Sequence, residues 1–336
     1  MASMRAVQVT TAGGDFEFVQ REIPEPNTGE VLIKVEACGV CHGDAIVKDG
    51  TFPGIRYPRI PGHEVIGAIV KLGPGTDFFK PGARVGVGWR GGHCGSCSAC
   101  RRGDFRACEN PLTTAISTDG GYAEYMIARA DALLPVPDEL ESISGAPLLC
   151  AGRTTFSALK SSVATAGDLV AIQGLGGLGH LALQYAVKMG FKTVVLSRGK
   201  SKEDLAMRLG AHKYIDATSN DPVKELKALG GAKVILCTAP NSKAISEVIG
   251  GLGRGGQAVI VGAAKDMLQI PAHLLIGSGR SIIGSGAGEI ADAVGFSLLT
   301  GIIPMVEVFP LEQAALAYEK MMTAKVHFRS VLKMGT

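Results

Sequence analysis

The chain has 336 residues, which at about 150 residues per domain is room for roughly two domains whose cores need no disulfide support. Charged residues make up 19% and hydrophobic residues 46%, with a mean hydropathy of +0.23, and this composition excludes a disordered chain. The 34 basic and 31 acidic residues leave a net charge of +3 and no basic stripe, which excludes nucleic acid as a partner.

In chain order, the first ten residues hold one Arg and neither an apolar run nor a cleavage pattern, so no signal peptide is expected and the protein reads as soluble and cytoplasmic. Up to Pro137, short β-rich segments at 5–10, 30–36, 63–72, 84–88 and 121–128 alternate with turn material such as Glu25-Pro26-Asn27 and Gly73-Pro74-Gly75. This predicts an all-β domain. From about Gly152, apolar runs at 169–172, 193–196, 213–215, 234–237 and 258–261 alternate with helical patterns at 178–189, 203–209 and 242–252, and a sixth strand is expected at 281–285. That alternation predicts a doubly wound parallel sheet. The uncharged stretch 169–187 is interrupted by Gln173, His180, Gln184 and four glycines, so no membrane partner is expected. The tail after Gly286, with a helix at 312–322 and a strand at 328–333, is too short to be a domain and is expected to return to the first one.

Gly174-Leu175-Gly176-Gly177-Leu178-Gly179 sits between a strand and a helix, where the pyrophosphate of a dinucleotide needs glycine backbone and a helix N-terminus. At the end of the second strand, where an NAD site usually holds an acid for the ribose 2′-hydroxyl, this chain has Ser197. Arg198, Lys200 and Lys202 follow, a cluster suited to a 2′-phosphate, and Ser201 with Asp204 reads as a helix N-cap. NADP(H) is therefore favoured over NAD(H).

The eight cysteines, without a secretory signal, point to metal or reactive thiols rather than disulfides. Cys94, Cys97, Cys100 and Cys108 form C-x2-C-x2-C-x7-C in a glycine-rich stretch with little core, which four thiolates on a structural zinc would cross-link. An iron–sulfur cluster is the rival, but the fourth spacing departs from a ferredoxin run. Cys41, His63, Glu64 and Cys150 are scattered, and spacing alone does not join them. Cys38 and Cys237 lie in apolar strands and read as packing residues.

On the segments 39–44, Gly62-His63-Glu64, the four-cysteine lobe, Cys150-Ala151-Gly152 and the turn 174–179, nearly the whole chain resembles the zinc-containing medium-chain alcohol dehydrogenases, in their yeast-type and cinnamyl-type branch. The resemblance implies an α/β fold: a GroES-like all-β catalytic domain at 1–151 with a zinc lobe at 89–110, a doubly wound Rossmann NADP-binding domain at 152–286, and a C-terminal return at 287–336. It implies a second, catalytic zinc on Cys41, His63 and Cys150, the ligand set for which alcohol dehydrogenases are themselves the known example. Glu64 would be a nearby or alternating ligand, and Asp44 would orient His63. By the same resemblance His42 lies near the pyrophosphate, Thr154 near the nicotinamide and Arg329 near the phosphates, and Val261 completes the cofactor-binding set. Phe52 and Trp89 match pocket walls, favouring an apolar or aromatic alcohol or aldehyde. A homodimer or homotetramer is expected, paired through the strand at 281–285.

One departure stands out. Close relatives place Ser or Thr where this chain has Gly43, and many place His where it has Ile46, the two members of a proton relay from substrate to solvent. Losing a positioned acid or base typically costs about a hundredfold to ten-thousandfold. Three readings follow: hydride transfer between NADP(H) and an alcohol or aldehyde, reduction of an activated carbon–carbon double bond, and a non-catalytic nucleotide-binding redox sensor. Intact Cys41, His63 and Cys150 weigh against the third.

Overall fold

The structure is a computed structural model and describes residues 2–286 and 288–335. Its strands run β1 (Ser3–Val9), β2 (Phe16–Glu22), β3 (Glu30–Val40), β4 (Val65–Leu72), β5 (Arg84–Val87), β6 (Arg90–Gly92), β7 (Leu112–Thr113), β8 (Tyr125–Arg129) and β9 (Leu133–Pro135). They continue with β10 (Leu169–Gln173), β11 (Lys192–Ser197), β12 (Lys213–Asp216), β13 (Ala232–Cys237), β14 (Leu252–Ile260), β15 (Ser281–Gly284), β16 (Val306–Pro310) and β17 (Arg329–Lys333). The chain divides into two compact units, Met1–Cys150 with Pro304–Thr336, and Ala151–Ile303.

The first unit is the GroES-like part, built on a sheet of order β16-β17-β3-β4-β5-β9. β3 is its spine. Glu30–Lys34 pairs with β8 and Ala37–Val40 with β17, while register shifts against β4 bend the strand between the two partners. Alternating side chains such as Val31, Ile33 and Val35 enter a core shared with Val65, Ile69, Tyr122, Met126 and Leu332.

The second unit is the Rossmann part. Its sheet, in the order β12-β11-β10-β13-β14-β15, is parallel throughout. Helices flank it, which is why central β10 is buried at every position and reads as a continuous apolar run rather than an alternating one. Ala171, Val194, Ile235, Leu252 and Ala258 are core residues of this unit.

Several expectations need correction. The chain rejoins the first unit at Pro304 rather than at 287, because the helix Ile290–Thr300 packs on the helix Ala151–Lys160 through Phe296 and Phe156, 5.2 Å between ring centroids. Ser201 is no N-cap: the helix Glu203–Arg208 has Lys202 at that position, with no side-chain cap. The helical pattern at 242–252 ends at Val248 and tightens into a 3-10 turn, Ile249–Gly251. β2 was not anticipated. Among the described residues it pairs only with β1, and it carries Glu17, Gln20 and Glu22 among its apolar residues, so its periodicity is weak. Among the described residues no helix is long and apolar enough to cross a membrane.

Candidate active site and metal centres

The four-cysteine lobe hangs between β6 and β7 on little more than the short helix Ser98–Arg101. Its thiol sulfurs all lie within 4.8 Å of one another. Backbone amides point at them: Cys94 N–H donates to Cys108 Sγ at 3.4 Å and Cys97 N–H to Cys94 Sγ at 3.4 Å. These donors favour thiolate, and the amides of Ser96 and Cys97 pull Cys94 down to about 5, whereas burial pushes Cys100 up to about 12. A closed cage of four sulfurs is the donor set of a structural zinc site and offers no position for a substrate.

The second cluster follows from the topology of the first unit. β4 and β17 flank β3, with Cys38 opposite Val65 and Val40 opposite Ser330. The residues at these strand ends therefore converge: Cys41 after β3, His63 and Glu64 before β4, Arg329 at the start of β17. Cys150 arrives from the 3-10 turn Ala146–Leu149, whose Leu149 packs over Gly86. One ligand atom from each of Cys41, His63, Glu64 and Cys150 fits within 4.8 Å, and the two sulfurs are 3.8 Å apart.

Polar partners orient Cys41 and His63. Buried Asp44 accepts from Cys41 N–H at 2.9 Å, Gly62 N–H at 3.2 Å, His63 Nδ1 at 3.1 Å and the Tyr122 hydroxyl at 2.8 Å. With Nδ1 so engaged, His63 Nε2 is buried without a hydrogen-bond partner among the described residues. Such an orphaned lone pair beside two sulfurs fits a metal ion, as does the chemistry of the donors. The Cys150 contact holds Cys41 well below the usual thiol value, and the same contact pushes Cys150 up, so at least one of the pair is readily a thiolate. Glu64 is raised to about 8 by burial, against the opposing pull of Arg329.

Close backbone approaches shape this cluster. A Cβ on Gly39 would lie 1.9 Å from Glu64 Oε2, so only glycine leaves room for that carboxylate. A Cβ on Gly43 would lie 2.6 Å from His63 Cε1 and 3.0 Å from Trp89 Cζ3. The Trp89 ring meets His63 edge-on, with centroids 4.8 Å apart, and, like Ile46 and Ile55, packs against the cluster of Val47, Ala115 and Ile116. Phe52 is 45% exposed.

Arg329 has a partner inside this cluster. Its Nη2 lies 2.5 and 2.7 Å from the two Glu64 carboxylate oxygens, and both residues are buried. His42 is exposed at the start of the helix Gly43–Asp49. Sequence reasoning missed Tyr122, Gly39 and the Arg329 partnership. The Gly120-Gly121-Tyr122 run was the available signal for the first.

In the second unit the turn 174–179 joins β10 to the helix Gly179–Lys188. Gly174 has φ +93°, and a Cβ on Gly179 would lie 1.9 Å from the Gly174 carbonyl oxygen, so both close the turn. Gly176 has open space beside it, as close approach of a ligand to backbone requires. Gly177 and Leu178 complete the turn, Leu178 preceding the first helical residue. The Lys202 ammonium donates to the Leu175 carbonyl at 2.8 Å, across from the glycine turn. Burial and the charge of Arg198 lower Lys202, so two cations stand close together here. Ser197 ends β11, exposed Arg198 follows, and Asp216 holds this loop by accepting from Gly199 N–H at 2.7 Å. Val261, just past β14, is half-buried, as is Thr154 on an otherwise buried helix face.

Two family models match the chain, the alcohol dehydrogenase GroES-like domain at residues 27–138 and the zinc-binding dehydrogenase at 177–297. The chain is 45% identical over 326 residues to the alcohol dehydrogenase patD of Penicillium expansum, covering 96% of this chain and 95% of that one. It is 40% identical over 336 residues to an alcohol dehydrogenase of Geobacillus stearothermophilus, covering 98% and 99%. Among solved structures, that of CAD from Helicobacter pylori complexed with NADP(H) superposes with a TM-score of 0.87 at 28% identity, covering 99% of this chain and 98% of that one. With both matched models, the full-length relatives and the two cysteine clusters in agreement, the chain belongs to the zinc-type medium-chain alcohol dehydrogenase family.

Proposed function

We propose that the protein is a zinc-dependent alcohol dehydrogenase that prefers NADP(H) and works chiefly as a reductase of apolar or aromatic aldehydes. The observation that carries the reading is the cluster of Cys41, His63 and Cys150 around an orphaned imidazole nitrogen. These three residues would hold the catalytic metal, with Glu64 kept beside it by Arg329, and Cys94, Cys97, Cys100 and Cys108 would hold a structural one. When bound, a three-ligand zinc supplies Lewis acidity toward a carbonyl or alcohol oxygen.

The chain's own residues do the rest. Asp44 fixes the His63 tautomer by accepting a hydrogen bond from Nδ1–H, which leaves Nε2 as the ligand atom. Trp89 walls the site against His63 and excludes water from that side. Gly174, Gly176 and the helix N-terminus at Gly179 would hold the pyrophosphate, while Ser197 and Arg198 would hold the 2′-phosphate. The structure of the Helicobacter pylori relative, complexed with NADP(H), supports that choice of cofactor. Lys202 would tie the adenosine loop to the pyrophosphate turn through Leu175. We further propose that Thr154 and Val261 lie along the nicotinamide, that His42 reaches the pyrophosphate, that Phe52 lines the substrate pocket, and that β15, at the edge of its sheet, pairs with a second copy.

A second reading, reduction of an activated carbon–carbon double bond, is favoured by one feature. The place of the relay hydroxyl is taken by Gly43, where a side chain meets His63 and Trp89, and Ile46 carries no proton. To separate the readings, zinc-replete protein is incubated with NADPH or NADH and a panel of aldehydes and α,β-unsaturated carbonyls, with products identified. Alcohol formation lost in Cys41→Ala supports the dehydrogenase. Saturated carbonyl products move the assignment to the double bond, and tight NADPH binding without turnover leaves a sensor.

A further inference from the structure

Tyr122 is fully buried in the core of the first unit, where a phenylalanine would satisfy the packing. A phenolic hydroxyl in such a place needs a partner, because leaving it unpaired costs about 1–3 kcal/mol. Its partner is Asp44 Oδ2, 2.8 Å away and 78 residues distant in sequence. Burial and the neighbouring carboxylate raise the phenol well above its ordinary value, so the proton stays on tyrosine and the group donates.

The Asp44 carboxylate is itself fully buried, and its hydrogen-bond contacts divide evenly between its oxygens. Oδ1 takes the Gly62 amide and His63 Nδ1, and Oδ2 takes the Cys41 amide and Tyr122. Each oxygen thus serves one backbone amide beside a metal-ligand residue and one side chain. Without the phenol, Oδ2 would keep only the Cys41 amide, and the carboxylate would be held by three contacts instead of four. The phenol is in turn held rigidly. Tyr122 N–H donates to the Pro61 carbonyl at 2.9 Å, Gly121 N–H to the Gly62 carbonyl at 3.0 Å, and Val7 N–H to the Tyr122 carbonyl at 2.8 Å. Gly62, with φ +103°, leaves space for the ring: a Cβ there would lie 2.6 Å from Tyr122 Cδ1.

We infer that Tyr122 is a positioning residue of the metal site: its hydroxyl locks the Asp44 carboxylate so that Oδ1 stays on the His63 ring and the ring stays in place beside Cys41 and Cys150. The inference rests on the metal-site reading above. It assigns Tyr122 no contact with substrate or cofactor, and its effect passes entirely through Asp44 and His63.

The test uses the full-length protein loaded with cobalt(II) in place of zinc. Visible ligand-field spectra are recorded, and metal release to a colorimetric chelator is followed for wild type, Tyr122→Phe, and protein carrying 3-fluorotyrosine at 122, a stronger donor of nearly equal size. Cys41→Ala assigns which release phase belongs to this site, and the four-cysteine lobe serves as the internal reference. Loss of a partner behind a metal-bound histidine costs about tenfold to a hundredfold in metal affinity, so one link further out Tyr122→Phe is expected to speed that one phase about threefold to tenfold and to alter the bands. The fluorinated protein should release no faster than wild type and should shift the bands in the opposite sense. A purely structural role would lower thermal stability and leave bands and both release phases unchanged, and that result overturns the inference. Should Tyr122→Phe fail to fold, unchanged bands and release in the fluorinated protein overturn it equally. Cobalt uptake by wild type in the lobe alone would overturn the metal-site reading, and this inference with it.

Discussion

At residue scale, the contact between Gly43 and its neighbours changes what restoring a relay would require. With a Cβ at 43 only 2.6 Å from His63 Cε1, Gly43→Ser must displace a ligand ring or the backbone, and overpacking of this kind costs about 1–3 kcal/mol. Gly43→Ser alone is therefore expected to lower both zinc content and kcat about tenfold, although it supplies the missing hydroxyl. Trp89→Ala in the same chain should recover zinc content, measured by metal analysis beside steady-state rates. On the cofactor side, a charge-assisted hydrogen bond is worth about 1.5–3 kcal/mol, so Arg198→Ala should reduce the proposed NADPH-over-NADH preference in kcat/KM by about tenfold to a hundredfold. Unchanged preference would remove Arg198 from the 2′-phosphate site. Much of this chemistry was legible in the sequence because short segments carry it: the four-cysteine spacing, the glycine turn, and Gly62-His63-Glu64. The link from Tyr122 to Asp44 and the crowding of Gly43 by Trp89 were not, since each depends on the fold bringing together residues tens of positions apart.

At the scale of elements, the lobe between β6 and β7 and the loop after β11 are held by few interactions, and each should fail locally. The lobe has almost no apolar core, so metal removal should open it to trypsin at Arg101, Arg102 and Arg106, while zinc-replete protein resists cleavage there. Equal cleavage with and without metal would count against a structural zinc. The loop after β11 depends on Asp216, held at about 2 against an ordinary 3.8, chiefly by hydrogen bonds from Thr218. A carboxylate depressed on folding contributes stability that is fully present above its unfolded pKa and lost as pH falls through its folded one. The contribution of Asp216 should thus fade between about pH 4 and pH 2, and chemical denaturation across that range should show a shallower dependence in Asp216→Asn. Strands and helices with strong periodicity, such as β10 and the helix Gly179–Lys188, were legible in advance. β2 and the true end of the second unit were not, because the first is an edge strand with a polar face and the second is decided by aromatic packing of Phe296 on Phe156.

For the whole molecule, two units with separate cores and both cysteine clusters in the first one predict divided behaviour on heating. Calorimetry should show chelation lowering the transition of the first unit while leaving that of the second, whereas NADPH at a hundred times its Kd should stabilise the second by about 2.7 kcal/mol. A single transition moved equally by both treatments would contradict this. The Rossmann sheet adds a practical consequence through its unequal edges. β12 ends in Lys213 and Asp216, with Lys213 paired to Glu225, and a charged edge of this kind resists further strand addition. β15, Ser-Ile-Ile-Gly, is half-buried over its first three residues and carries no charge. When the protein is overexpressed, that edge is where aggregation would start, and Ile283→Lys is the substitution that should keep the chain in solution.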